Sequence, residues 1–173
     1  MNLQPCLEND LVKLIPLKQS DFEVLFNVAS DPLIWEQHPN PNRYQREVFE
    51  TYFSGAIASK GAFLITDNHT HEVIGSSRFY DYDEINHTVT IGYSFLARKY
   101  WGGQFNKAVK TLLLDYAFQF VQRVHFHVGS QNVRSQKAME KLGAKKIGQA
   151  QVAYHAEKET LNHIYEMLKE DWD

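Results

Sequence analysis

The 173-residue sequence has one cysteine, five prolines, nine glycines and no apolar run near the roughly 20 residues that span a bilayer. Each shortage excludes something. The single Cys6 cannot form an internal disulfide, which fits a reducing compartment, and the cytoplasm is the expected location. The first residues, MNLQPCLEND, lack the basic and then apolar segments of a secretory signal. Neither charge sign dominates, since 18 Lys and Arg stand against 21 Asp and Glu for a formal net charge of −3. A general nucleic-acid binder would carry a basic excess, so no direct nucleic-acid partner and no membrane partner is expected. There is no internal repeat and no low-complexity linker. Two familiar phosphate loops are also missing: no G-x-x-x-x-G-K-[ST] occurs, and no glycines complete G-x-G-x-x-G. The eight histidines include His69-x-His71 in a turn and His125-x-His127 on one strand face. Neither pair has a clear third ligand, so no metal site is expected.

What is present describes an ordinary globular core, 43% hydrophobic and 13% aromatic, in one domain over residues 1–173. Residues 10–17 read as a strand. Residues 20–30 read as a helix with Ser20 and Glu23 in a capping-box pattern. The proline-rich stretch 31–43 is a loop. A second helix over 44–60 carries Val48, Phe49, Tyr52, Phe53 and Ile57 on one face. The period then changes to strands at 62–66, 72–82 and 88–96. A long helix follows over about 104–121, with Phe105, Val109, Leu112, Leu113, Tyr116 and Phe120 as its apolar stripe. A strand at 123–129, a helix at 132–143 between Asn132 as N-cap and Gly143 at C′, and a final hairpin complete the chain. The class is α+β with a mixed sheet.

One join stands out. In RKYWGGQFNKA, residues 98–108, Gly102 and Gly103 lie between a strand and the long helix. A helix N-terminus presents unpaired amides and the positive end of the macrodipole, and small residues let that backbone approach an anion. Arg98 and Lys99 add charge at its mouth. The same glycines would also serve a plain connecting turn.

The segment IGYSFLARKYWGGQFNKAVKTLLLDYAF, followed by VHFHVGSQNVRSQKAMEKLGA, resembles the paired core motifs of the GNAT superfamily of acetyl-CoA-dependent N-acetyltransferases. It is most similar to the branch of ribosomal-protein N-terminal alanine acetyltransferases, over roughly residues 88–148. The resemblance implies a mainly antiparallel seven-stranded sheet flanked by four helices and splayed between the fourth and fifth strands. It implies acetyl-CoA as co-substrate and no metal. In the family's pyrophosphate loop, [QR]-x-x-G-x-[GA], the matching positions are Lys99, Gly102 and Gln104. Lysine keeps the charge, and Gln104 departs from the small residue usual there, with Gly103 able to supply room. Phe105 and Asn106 continue the loop into the helix.

Further roles follow from the same likeness. Ser94, Phe95 and Leu96 match the strand edge that pairs with the pantetheine arm, and an amide of Phe95 or Leu96 would face the thioester oxygen. Core packing is the other reading of these two side chains. The tyrosine that protonates the thiolate in many members is here Met139, which cannot donate. Ser135 matches the serine of the ribosomal-protein branch and is the candidate near the thiol; it could equally cap its helix with Asn132, itself a cofactor-arm contact or a cap. Where relatives often carry Glu before the Ile-Gly of the splayed strand, this sequence has Thr90. Glu84 is the candidate base, with Asp81, Asp83 and His87 beside it. The acceptor pocket falls to Trp35, His38 and Tyr44, with His127 at the splay and Tyr154 and His155 as weaker rim positions. A weak base suits an α-amine, about a tenth neutral at pH 7, better than a lysine, for which the share is below about one in a thousand. The expected activity is direct acetyl transfer, in a ternary complex, to a protein N-terminal or small-molecule amine. Met139 and Thr90 motivate the alternative, a catalytically inactive acyl-CoA-binding or regulatory module. A ribosome-associated interaction protein is disfavoured by the acidic balance. The oligomeric state stays open, a homodimer included.

Overall fold

Alternating apolar residues put two cores on one sheet in the computed structural model, which describes residues 1–153 and 156–172. Strand β3 (Ala62–Asp67) shows the pattern: Phe63 and Ile65 point to one face, Ala62 and Leu64 to the other. The first face packs α3 (Phe105–Ala117) and α4 (Val133–Leu142) through Val109, Leu113, Leu114 and Met139. The second packs α1 (Phe22–Ala29) and α2 (Arg46–Ser59) through Leu25, Phe49 and Phe53.

The remaining strands are β1 (Leu7–Glu8), β2 (Val12–Pro16), β4 (Val73–Asp83), β5 (Thr88–Leu96), β6 (Arg123–Gly129), β7 (Lys145–Val152) and β8 (Thr160–Leu168), and a short α5 (Lys169–Trp172) ends the described chain. The sheet order is β1-β2-β3-β4-β5-β6-β8-β7, antiparallel except for β5 against β6. That parallel pairing runs only from Thr88 opposite Arg123 to Ile91 opposite Phe126. Beyond it β6 pairs with β8 alone, and β5 turns away. The expected splay is therefore present.

Eight strands and five helices form among the described residues, rather than seven and four. The extra strand β1 is two residues long, too short to show a period; the Asn9 side chain makes its turn by accepting from the Leu11 and Val12 amides. The extra helix α5 replaces the expected end of the last strand, where Trp172 Nε1 donates to Asp115 at 2.7 Å. Helix α3 stops at Ala117, because the amides of Gln122 and Arg123 must reach His87 O to start β6. Phe120 is consequently exposed instead of on the stripe. No capping box forms at Ser20 and Glu23: the Asp21 carboxylate accepts from Lys18 N–H, and Glu23 pairs with Arg46. Asn132 does cap α4, accepting from Ser135 N–H at 3.2 Å, and Gly143 follows it with φ of 94°.

Candidate active site

Where β5 leaves β6, the chain carries a bulge. Ser76 pairs with Phe95 and Arg78 with Gly92, so Tyr93 and Ser94 together face Ser77. Tyr93 takes a left-handed φ of 53°, a strained conformation for a large side chain. Among the contacts that hold it, the Tyr52 hydroxyl donates to Tyr93 O at 2.8 Å, and the Arg78 guanidinium lies 3.6 Å from its ring centroid. The bulge aims Ser94 into the splay, where its hydroxyl meets Ser77 Oγ at 2.7 Å and receives a hydrogen bond from Lys110 Nζ at 2.8 Å.

Two cavities meet there. A groove of about 680 Å³ runs between β5, the turn before α3, and α4. Its floor is apolar, with Phe95, Leu96 and Val109, and its rim carries Lys107, Arg134, Lys137 and Lys141. None of its described lining residues is acidic. A cavity of about 120 Å³ continues from it toward β6, lined by Arg43, Tyr93, Lys110, His127 and Met139 among others, again without a described carboxylate. His38, Ser94, Asn106, Asn132, Ser135 and Ala138 line both.

At the outer end of the groove, Gly102 has φ of +70°, which only glycine adopts freely, and a Cβ there or at Gly103 would meet no protein atom within 4 Å. The amides of Phe105, Asn106 and Lys107 have no acceptor within α3, being its first turn. Trp101 is fixed by its Nε1 donating to Leu96 O at 2.9 Å, and the Arg134 guanidinium stacks 3.7 Å from its ring centroid. Open backbone, cationic rim and apolar floor suit a polyphosphate joined to an uncharged arm, so these residues fit coenzyme A.

The stretch before α2 lines the inner cavity, and Arg43 within it reaches Glu157 of the β7–β8 connection. Arg43, 1% exposed, donates from Nε to Glu157 Oε1 at 2.9 Å and lies 4.9 Å from the Tyr52 ring centroid. His38 Nδ1 accepts from Asn40 N–H at 3.0 Å. Burial, then the charges of Arg43 and Arg134, hold this imidazole well below its ordinary 6.5. Burial also lowers His127, whose Nδ1 lies 3.2 Å from Tyr80 Oη. Both rings are neutral near pH 7. Lys110 is buried without a charged partner among the described residues, and burial pushes it down to about 8.

Several expected site residues are brought together: Ser94, Phe95, Leu96, Gly102, Gly103, Asn106, Asn132, Ser135, Trp35, His38 and His127 all line one cavity or both. Others are not. Arg98 pairs with Asp31 and Lys99 with Glu72, so each charge is already engaged away from the groove. Gln104 is exposed outside it, and Phe105 packs edge-on against Tyr100 at 4.7 Å. Tyr44 packs beside the second core and lines neither cavity. Glu84 is exposed in the β4–β5 turn, at the end of β5 opposite the splay, so it does not reach the junction. Thr90 is buried between Tyr80 and His125. Tyr154 and His155 lie outside the described residues. His125 pairs with Glu166, and no group of three or more metal-binding side chains occurs among the described residues.

The sequence reading missed Lys110, Arg43, Glu157 and the four rim cations. Helical spacing held a signal for the first: Leu113, Leu114 and Ala117 are buried, and Lys110 lies on the same face one turn earlier. The Arg43–Glu157 pair spans 114 positions and leaves no such mark.

Comparison with known proteins agrees with this geometry. Residues 12–145 match the family of acetyltransferase (GNAT) domains. No curated protein matches the sequence. A GCN5-related N-acetyltransferase from Brucella melitensis superposes with a TM-score of 0.80 at 20% identity, covering 98% of this chain and 80% of that one. Mycobacterium smegmatis RimJ, solved in complex with CoA-disulfide, gives 0.72 at 17% identity over 96% and 87%. Ribosomal-protein-S5-alanine acetyltransferase from Vibrio fischeri gives 0.70 at 18% over 98% and 100%. At these identities the superpositions carry the fold, and the domain match carries the family. The chain belongs to the GNAT family and is an acetyl-CoA-dependent N-acetyltransferase.

Proposed function

We propose that acetyl-CoA lies in the larger groove and that its acetyl group passes by direct attack to a primary amine in the smaller cavity. The observation that carries this reading is the meeting of the two cavities at Ser94, Asn132 and Ser135. The first-turn amides of α3, Gly102 and Gly103 hold the pyrophosphate, and Lys107, Arg134, Lys137 and Lys141 attract the remaining phosphate charge. Acetyl-CoA supplies an activated thioester. The backbone of Phe95 and Leu96 lines its path, and the Ser135 hydroxyl, which has no hydrogen-bond partner among the described residues, faces the junction.

The acceptor is best read as an amine of low basicity, either a protein N-terminal α-amine or a small-molecule amine. The inner cavity has no described carboxylate to attract a lysine ammonium. Its bases are neutral imidazoles, of which His127 replaces Glu84 as the candidate proton acceptor. An imidazole below 6.5 matches an amine near 7.7–8.0 far better than one near ~10.4. The name of the Vibrio fischeri protein gives an alanine of ribosomal protein S5 as the acceptor in that protein.

Met139 in the inner cavity favours the second reading, an acyl-CoA-binding module without turnover. Calorimetry with acetyl-CoA, followed by a thiol-release assay over a panel of peptide N-termini, small amines and lysine side chains, separates the two. Binding with thiol release on an α-amine or other weakly basic amine supports the enzyme. Binding with no release on any amine supports the module, and no binding of any CoA thioester defeats both.

A further inference from the structure

Among the described residues, Lys110 is the one buried ammonium in the splay. It enters from the second turn of α3, one turn beyond Asn106, and both residues line the inner cavity. Its Nζ donates to Ser94 Oγ, and the Phe126 ring centroid lies 5.6 Å away. Ser94 lines both cavities, so the ammonium stands one hydrogen bond from the place where they join. The titratable and charged groups facing the cavity are His38 and Arg43 from the stretch before α2, Tyr93 from β5 and His127 from β6; Ser135 and Met139 from α4 carry no charge. Arg43 is paired with Glu157, and no described carboxylate lines the cavity to neutralise Lys110. A buried cation without a counter-ion is costly, and such a cost at a junction of cavities points to use by an anion that forms there.

We infer that Lys110 protonates the coenzyme A thiolate as it leaves, filling the role that Met139 cannot. This rests on the acetyl-transfer reading above. The amine nitrogen forms a bond to the thioester carbon and the carbon–sulfur bond breaks, its electron pair passing to sulfur. The Lys110 ammonium gives that sulfur a proton and becomes a neutral amine. The attacking nitrogen, cationic once bonded, loses one proton to His127 and on to water, and Lys110 regains a proton from solvent before the next cycle. The sum is amine plus thioester giving amide plus thiol. Lys110 is suited to this donation because its depressed affinity for protons makes transfer to a thiolate easy.

The test uses the full chain saturated with reduced coenzyme A, with bound thiolate followed by its ultraviolet absorbance against the desulfo-CoA complex as pH is raised. In the wild type the ammonium favours the thiolate, so the bound thiol should titrate lower than in Lys110→Met by about one pH unit or more. Lys110→Met should still fold, since replacing an unpaired buried charge by an apolar chain of similar length is commonly neutral or stabilising. A second variant, Lys110→Arg, keeps the charge but cannot release a proton. It should hold the low thiol titration yet lose thiol release on the amine panel at least about tenfold, as should Lys110→Met. Equal thiol titration in wild type and Lys110→Met overturns the assignment while leaving acetyl-CoA binding intact. Turnover by Lys110→Arg at the wild-type rate also overturns it. Failure of the wild type to bind coenzyme A would remove the acetyl-transfer reading itself, and this inference with it; loss of binding in Lys110→Met alone would make Lys110 a binding residue and overturn only this inference.

Discussion

Ser135 and His38 line both cavities, yet their chemistry comes from different sources. Ser135 is placed by its own helix, since its amide is held by Asn132 and its hydroxyl is left toward the junction. Ser135→Ala should therefore lower turnover more than acetyl-CoA affinity, as read by steady-state kinetics beside calorimetry; equal losses would make it a binding residue. His38 is placed by burial. Its folded proton affinity lies below that of the unfolded chain, so the unfolded state binds more protons once pH drops beneath 6.5. Stability contributed by the neutral ring is full above 6.5 and is lost as pH falls. Thermal unfolding should show a lower midpoint at acidic pH, and His38→Asn should flatten that slope between about pH 5 and 6.5, with His127 contributing in the same direction. Ser135 was legible from a motif and a cap, both local. Lys110 was legible only as a charge on an apolar helix face, and its partner Ser94 depends on a bulge with no sequence signature.

At the scale of elements, the turn into α3 and the bulge in β5 do the positioning. The turn is written in the chain, because glycine takes the positive φ found at Gly102 without the strain that a side chain would bring. Gly102→Val would place a branched side chain at φ of +70° with its Cβ projecting into the open groove. Acetyl-CoA binding should weaken at least about tenfold, or about 1.4 kcal/mol, as calorimetry would show. The rim cations were hidden for a different reason. Lys107, Arg134, Lys137 and Lys141 come from two helices, and only the packing of α3 and α4 on one sheet face gathers them. Arg98 and Lys99, adjacent to the turn in sequence, find carboxylates at Asp31 and Glu72 instead.

Taken as a whole, the molecule ties two distant segments together beside the inner cavity through a buried ion pair. Arg43 and Glu157, 1% and 8% exposed, join the stretch before α2 to the β7–β8 connection. Glu157→Gln leaves the arginine buried and unpaired, which should cost about 3–5 kcal/mol in chemical denaturation. The same variant should raise KM for the amine more than Kd for acetyl-CoA, because Arg43 lines only the inner cavity. No helix among the described residues is long and apolar enough to cross a membrane. The sequence by itself determined the α+β class, the order of the strands and helices between β2 and β8, and the glycine turn before α3, since period, caps and glycine geometry are set by neighbours a few residues away. Tertiary structure alone decided where β5 and β6 part, which cations face the groove, why Glu84 is left outside, and how Lys110 reaches Ser94. Those outcomes depend on which distant side chains share a desolvated space, and no local pattern along the chain encodes that cost.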